Sequence, residues 1–409
     1  MKLEGKDKDF KEYILYFSSL PILNIITNDY KNKFPIINNA KVNIIDNKNN
    51  IEFDTRMNIR GASSINNFKS SYALYSEDKF SNYIFSKYGF KSVQNFYSLY
   101  ASYHDPSLLR DYTGHTLFNS KLNNVIHNSI KGLHIDLFIN NIYFGVYILT
   151  NTIGTKTLQN NNPNKELLEL IAKDRESYEI RDKFYQLVNK EDNLLINPFN
   201  FSFHTINEDT IKMSNKLMKC DKDLEKTFNK NYAFSFMTTI LAIEGFDNIT
   251  NNAFVALKNG KINDLINNNY KNDELFYIPW DMDHSFRTIS LPPQDNDKPF
   301  TNYYSNVISK SGSLFKCYLD NTNNFKNQFN EYWKINNKNL QNEIKNIFNE
   351  KYNYLNKNYA YERDYLRWKN SPNIFSEQDK NDINIWIDER LKYLNNNILN
   401  NNKFFNLFF

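Results

Sequence analysis

The spacing of apolar side chains changes once along the chain, and that change limits the fold more than any other feature of the sequence. Up to Asn151 the apolar residues come in short runs and period-two alternations; beyond it they recur mostly at helical spacing. Leu133, Ile135, Leu137 and Ile139 alternate with His134, Asp136 and Phe138. Asn140-Asn141, two residues tolerant of positive φ, then leads into Tyr143 to Leu149, the pattern of a tight hairpin. Lys41 to Ile45 and Ile51 to Ile59 flank the turn-forming Asn47 to Asn50 as a second hairpin, and Leu20 to Ile26 and Tyr72 to Leu74 read as short strands. Between them, Asp105-Pro106 offers an N-cap and a proline at the first helical position, with Leu108, Leu109, Tyr112 and Leu117 following at helical spacing.

After the polar linker Asn160 to Asn164, Leu224 to Ile243 reads as an apolar helix that stops before Gly245. Ile344, Ile347, Phe348 and Leu355, then Ile383, Trp386, Ile387, Leu391 and Leu394, trace amphipathic faces, with Asp388 and Lys392 spaced as an i,i+4 pair. The expectation is an α+β chain of two lobes: an N-terminal extension over 1–15, a β-rich lobe over 16–151 and a mainly helical lobe over 152–409.

Composition removes several function classes. A chain of 409 residues that is 41% hydrophobic and 16% aromatic has the material for two cores. It has only ten glycines and no G-x-G-x-x-G or G-x-x-x-x-G-K-[ST] stretch, which excludes a Rossmann dehydrogenase or a P-loop NTPase. The net charge of +4 is spread along the chain rather than gathered in basic blocks, so no nucleic-acid partner is expected. Cys220 and Cys317 are too few for a disulfide framework or a thiolate zinc site. No apolar run reaches 18 residues, so no membrane span is expected, and the charged start, Met1 to Phe10, shows no secretory signal. About one residue in six is asparagine, yet only Asn200 and Asn248 sit in N-x-[ST] acceptors.

Three polar constellations could carry chemistry. Arg60-Gly61-Ala62-Ser63-Ser64, followed by Lys69, combines a turn rich in hydroxyls and N–H groups with a cation, a way to hold phosphate without several glycines; taken alone it is also a common basic hairpin loop. Asp247 with Asn252 five residues on has the spacing of an aspartate that orients a hydroxyl and an asparagine that ligates a metal. In so asparagine-rich a chain, a capped loop after a helix gives the same pattern. Trp280-Asp281-Met282-Asp283-His284 puts two carboxylates at the end of a strand, where they suit a hard cation such as Mg²⁺ or form an acidic turn. His104, His115, His127, His134 and His204 show no metal-ligand spacing, and no G-x-S-x-G elbow exists for a serine hydrolase.

Taken together and in this order, these constellations resemble the spore coat protein H (CotH) kinase family. The matching residues are Arg60-Gly61-x-Ser63-Ser64 with Lys69, Asp105 with Leu109-Arg110, Asn141-x-Tyr143-x-Gly145-Val146-Tyr147, Asp247 with Asn252, and Trp280-Asp281-x-Asp283. With weaker matches at both ends they run from Ser19 to Leu394. The resemblance implies an atypical protein-kinase-like fold that uses ATP and Mg²⁺ to phosphorylate serine or threonine on a protein substrate, a serine-rich acceptor above all.

Residue by residue, it implies that Lys69 holds nucleotide phosphate beside the Arg60 to Ser64 turn, that Asp247 accepts the substrate hydroxyl proton, that Asn252 and Asp281 ligate Mg²⁺, and that Asp283 supports the metal site. Asn151 stands near the hinge where the family usually carries a glutamate, and it is taken as nucleotide-binding. Asn248 stands where a glycine is frequent, and a glycan on it would obstruct the loop. The family's setting implies a spore coat, secreted or surface location. Two alternatives share this fold: a catalytically inactive surface or coat protein that binds a partner, and a transferase that moves AMP instead of phosphate.

Overall fold

The alternating segments of the first half close on themselves. In a computed structural model the described residues are 2–6, 12–16, 18–28, 37–46, 49–61, 67–90, 96–121, 130–152, 167–171, 200–203, 230–245, 248, 252–258, 274–287 and 323–400. Strands β1 (Lys2–Lys6) and β2 (Glu12–Tyr16) pair antiparallel as a separate two-stranded sheet. Strands β3 (Ile22–Ile26), β4 (Ile37–Asp46), β5 (Asn49–Arg60), β6 (Ser71–Ser76), β7 (Phe96–Tyr100), β8 (Gly132–Ile139) and β9 (Ile142–Asn151) form a closed barrel in the order β3-β4-β5-β6-β7-β9-β8. Every pairing is antiparallel except the closing one, where β3 runs parallel to β8 with Ile22 opposite Asp136.

The β8–β9 hairpin explains the closure. Asn140 and Asn141 both take left-handed backbone (φ 49° and 63°), as a two-residue turn of matching twist requires. Their side chains then reach β3. Asn140 accepts the Thr27 N–H at 2.8 Å and donates to the Thr27 carbonyl at 2.9 Å, while Asn24 donates to Asn141 at 2.7 Å. The turn residues therefore also latch the barrel. Inside it, Ile25, Val42, Met57, Leu74, Leu99 and Leu137 are buried, and helix α1 (Asp78–Tyr88) sets the Phe80 ring edge-on between Phe53 and Tyr97.

Helix α2 (Arg110–Lys121) begins five residues after Asp105, later than the sequence suggests. The Asp105 carboxylate takes the N–H groups of Ser107, Leu109 and Arg110 at 2.9 to 3.0 Å, which stabilises a turn with left-handed Leu108 (φ 57°) ahead of the helix. Five further helices follow: α3 (Lys230–Ile243), α4 (Asn323–Asn336), α5 (Leu340–Lys357), α6 (Ala360–Trp368) and α7 (Glu377–Asn400), among the described residues. Strands β10 (Leu167–Ile171), β11 (Asn200–Phe203), β12 (Ala253–Lys258) and β13 (Glu274–Pro279) form an antiparallel sheet in the order β11-β10-β12-β13.

The chain divides into two compact units that are not contiguous in sequence. The first comprises Met1–Tyr112, Ile130–Thr152 and Phe348–Asn381; the second comprises Thr113–Ser129, Ile153–Ile347 and Asp382–Phe409. In the first, α6 packs on β9 at a break in register between Leu137 and Phe138. The Trp368 indole donates to the Phe144 carbonyl at 2.6 Å and Arg367 to the Tyr143 carbonyl at 2.8 Å, so carbonyls freed from the ladder find donors on the helix.

In the second unit, Phe236, Trp333, Ile344 and Ile387 are fully buried, and Asp388 pairs with Lys345 of α5 rather than with Lys392. The architecture is thus mixed α/β with a β-rich N-terminal region and helices toward the C-terminus, as expected, and the closure of the strands into a barrel is new. No helix among the described residues is long and apolar enough to cross a membrane. Cys220 and Cys317 lie outside the described residues.

Candidate active site

The site in the second unit is built from the end of α3. Glu244 takes the left-handed position (φ 58°), the Gly245 N–H returns to the Ile240 carbonyl at 2.9 Å, and the Glu244 N–H returns to Leu241 at 3.4 Å, the paired bonds of a Schellman stop. The helix therefore ends on Glu244, and Gly245 serves another purpose: a Cβ there would lie 2.9 Å from the Asn248 Oδ1. Two carbonyls at this end also find further donors nearby. Arg390 of α7, itself buried, donates to the Leu241 carbonyl from Nε (2.9 Å) and Nη2 (2.8 Å), and the Phe286 N–H takes the Ile243 carbonyl at 2.7 Å. A guanidinium at the negative end of a helix is favourable on charge as well. Burial pushes the Glu244 carboxyl up, against the pull of Arg390 and Arg287.

Asp247 lies outside the described residues, between Gly245 and Asn248, which are described. Asn252 and Asp281 are brought together by strand register. Ala253 pairs with Pro279, and the Trp280 N–H reaches the Asn252 carbonyl at 2.9 Å, so Asn252 faces Trp280 and Asp281 is the next residue along. Both Asn252 and Asp281 are half-buried, and Asp281 has left-handed backbone (φ 54°), which aspartate tolerates. Met282 is fully buried behind it, against the face where Gly114 has no side chain, and a Cβ at Gly114 would lie 3.0 Å from the Met282 sulfur. Asp283 sits 4.0 Å from the His284 ring nitrogen, with its side chain 19% exposed.

Asn248, absent from the sequence candidates, joins the two halves of this arrangement. Its side chain is 1% exposed, and its Nδ2 donates to the Asn252 carbonyl at 2.8 Å and to the Trp280 carbonyl at 2.6 Å. An amide nitrogen so engaged is also a poor glycan acceptor. The donor set fits Mg²⁺: one amide oxygen and one carboxylate on adjoining chain positions leave room for phosphate oxygens and water, which this ion retains. Among the described residues no three His, Cys, Asp or Glu side chains gather as a metal cage.

The remaining candidates belong to the first unit. Arg60 is half-buried and ends β5 opposite Ser71; Ser63 and Ser64 lie outside the described residues. Lys69 is fully buried, donating to the Asp364 carboxylate at 2.8 Å and to the Val146 carbonyl at 2.7 Å, with the Tyr147 ring 5.0 Å away. The same Asp364 oxygen accepts the Val146 N–H at 2.8 Å. Burial lowers the proton affinity of the Lys69 amine, and Asp364, with smaller help from Asp105 and Asp136, holds the proton on.

Beside this pair, Arg363 bonds Asp136 at 2.7 Å and the Tyr143 hydroxyl donates to Asp136 at 2.8 Å. Asn151, 1% exposed, accepts the Lys131 N–H at 2.6 Å, so its amide oxygen already serves the backbone. Asp364 and Arg390 were not legible as site residues: each meets its partner across more than a hundred residues of chain, and no local pattern marks either.

The family model described as CotH kinase protein matches residues 57–394 of the chain. No curated protein matches it.

Proposed function

The chain belongs to the CotH kinase family, and from that premise we propose that it is an atypical protein kinase that transfers the γ-phosphate of ATP, with Mg²⁺, to serine or threonine of a protein substrate. The observation that carries this reading is the adjoining placement of Asn252 and Asp281 at one end of the β12–β13 pair. Helix α3, then Asp247 and Asn252 in sequence, two antiparallel strands and then Asp281 follow in the order that phosphoryl transfer uses in protein kinases. That order also supports the finer fold assignment, a reduced kinase-like fold with a β-rich N-lobe and a helical C-lobe.

In this proposal Asp247 orients the substrate hydroxyl and takes its proton as the oxygen bonds to the γ-phosphorus, and ADP leaves with the bridging oxygen. Asn252 Oδ1 and the Asp281 carboxylate would hold Mg²⁺, and Asp283 would support that site. The ion supplies neutralisation of the phosphate charge. Lys69 and the Arg60 to Ser64 turn are assigned to the nucleotide phosphates and Asn151 to the nucleotide. The Lys69–Asp364 pair resembles the lysine–acid pair that kinases need in place.

The complete burial of Lys69 favours a second reading, a CotH-fold surface or coat component that binds a partner without turnover. Intact-mass measurement of a serine-rich acceptor after incubation with Mg²⁺-ATP separates the readings. The kinase predicts added phosphate that Asp247→Ala abolishes. Added AMP would replace the proposed chemistry, and no adduct together with no Mg²⁺-ATP binding by calorimetry would favour the binding protein.

A further inference from the structure

The two proposed metal ligands sit on chain segments that leave the last strand pair, Ala253 with Pro279, and head into different loops. Separate loop ends wander unless something ties them, and a metal site loosened by an ångström loses much of its affinity. Three bonds meet at this point: Trp280 N–H to the Asn252 carbonyl, and the two from Asn248 Nδ2 to the carbonyls of Asn252 and Trp280. One atom therefore binds the backbone of one ligand, Asn252, and the backbone immediately before the other, Asp281.

The chemistry of the tie is restrictive. A primary amide nitrogen carries two hydrogens, and here both carbonyls take one each. Aspartate has the same shape but would set oxygen against two carbonyl oxygens, and alanine supplies no donor. Glutamine adds a methylene where the side chain is 1% exposed. The pocket is fitted from the other side as well, since Gly245 leaves no room for a Cβ beside Oδ1, and the Asn248 N–H returns to the Gly245 carbonyl at 3.2 Å.

We infer that Asn248 is a positioning residue: its amide bridge between the carbonyls of Asn252 and Trp280 sets the spacing of Asn252 and Asp281, and with it the affinity of the site for a divalent cation. The inference rests on the reading of Asn252 and Asp281 as Mg²⁺ ligands. Asn248 touches neither substrate nor metal and acts through the two ligands. Partners that orient ligands in this way are worth about 10- to 100-fold in metal affinity or activity.

The test uses the full chain and Mn²⁺ as a paramagnetic probe, titrated by electron spin resonance in the presence of a non-hydrolysable ATP analogue, for wild type, Asn248→Ala, Asn248→Asp and Gly245→Ala. The expected result is Mn²⁺ binding weakened about tenfold or more in both Asn248 variants, and weakened less in Gly245→Ala, which pushes on Oδ1 without removing a donor. The Mg²⁺ concentration needed for half-maximal transfer rises by the same factor, while KM for the acceptor protein stays put. Folded variants with Mn²⁺ affinity within about twofold of wild type would overturn the inference, and so would failure of all three variants to fold, because Asn248 would then serve the fold at large. A wild-type chain that binds no Mn²⁺ would overturn the ligand reading itself, an outcome distinct from a wild type that binds and variants that match it.

Discussion

Two lysines of the first unit, Lys69 buried and Lys351 half-buried, show how little residue type says without its surroundings. Lys69 has the Asp364 carboxylate and the Val146 carbonyl, so its charge is compensated where it lies. Lys351 has the Tyr112 and Tyr354 rings 5.0 and 4.8 Å away and, among the described residues, no carboxylate. Burial, with a smaller push from Lys131, lowers its pKa from 10.5 to about 8. The folded state therefore releases this proton more readily than the unfolded chain. Below about pH 8 the charged amine opposes folding, and the handicap fades as pH rises from about 8 through 10.5. Lys351→Met is expected to stabilise the protein by about 1–2 kcal/mol at pH 7, after allowing for the cation–ring attraction that is lost. Urea unfolding of both proteins across pH 7 to 10 should show the gap closing, and a gap independent of pH would contradict the assignment.

Where α6 meets β9 the elements hold together through an irregularity rather than through regular pairing. Gly145 has φ 113°, and a Cβ on it would lie 2.5 Å from the Asp364 carboxylate and 2.6 Å from the Trp368 indole nitrogen. Only glycine lets α6 approach β9 closely enough for Trp368, Arg367 and Asp364 to reach the carbonyls and the N–H of residues 143 to 146. Gly145→Ala is expected to cost on the order of 2–4 kcal/mol, from backbone strain and overpacking together. Denaturant titration measures it, and an unchanged midpoint would mean that β9 yields without loss.

The same elements show what a sequence displays. The Asn140-Asn141 hairpin is legible because turn chemistry and period two are local. Barrel closure by parallel β3 and β8 is not, since alternation says which face is buried and nothing about which strand lies alongside. The start of α2 was misplaced because Asp105 caps a turn and the helix with one carboxylate, and the sequence shows only that a cap is present.

At the scale of the molecule, each compact unit is assembled from segments far apart in the chain, with Phe348–Asn381 returning to the first and Asp382–Phe409 to the second. A single change of period at Asn151 cannot announce such returns, and for that reason Asp364 and Arg390, both on late helices, went unread. Asn252 and Asp281 come near each other because one strand pair carries both to the same end, whereas Asp247 lies outside the described residues. Asn248 stands out in the sequence only as a glycan acceptor where a glycine is frequent; in so asparagine-rich a chain nothing marks it as a tie until its two carbonyl partners are seen. The central claim is that this strand end performs Mg²⁺-dependent phosphoryl transfer. Its most direct test is transfer of label from γ-labelled ATP to a serine-rich acceptor by wild type and Asp281→Ala, with folding checked by circular dichroism. The account predicts label on the acceptor with wild type and a loss of about a hundredfold or more in the folded variant; equal labelling by both proteins would contradict it.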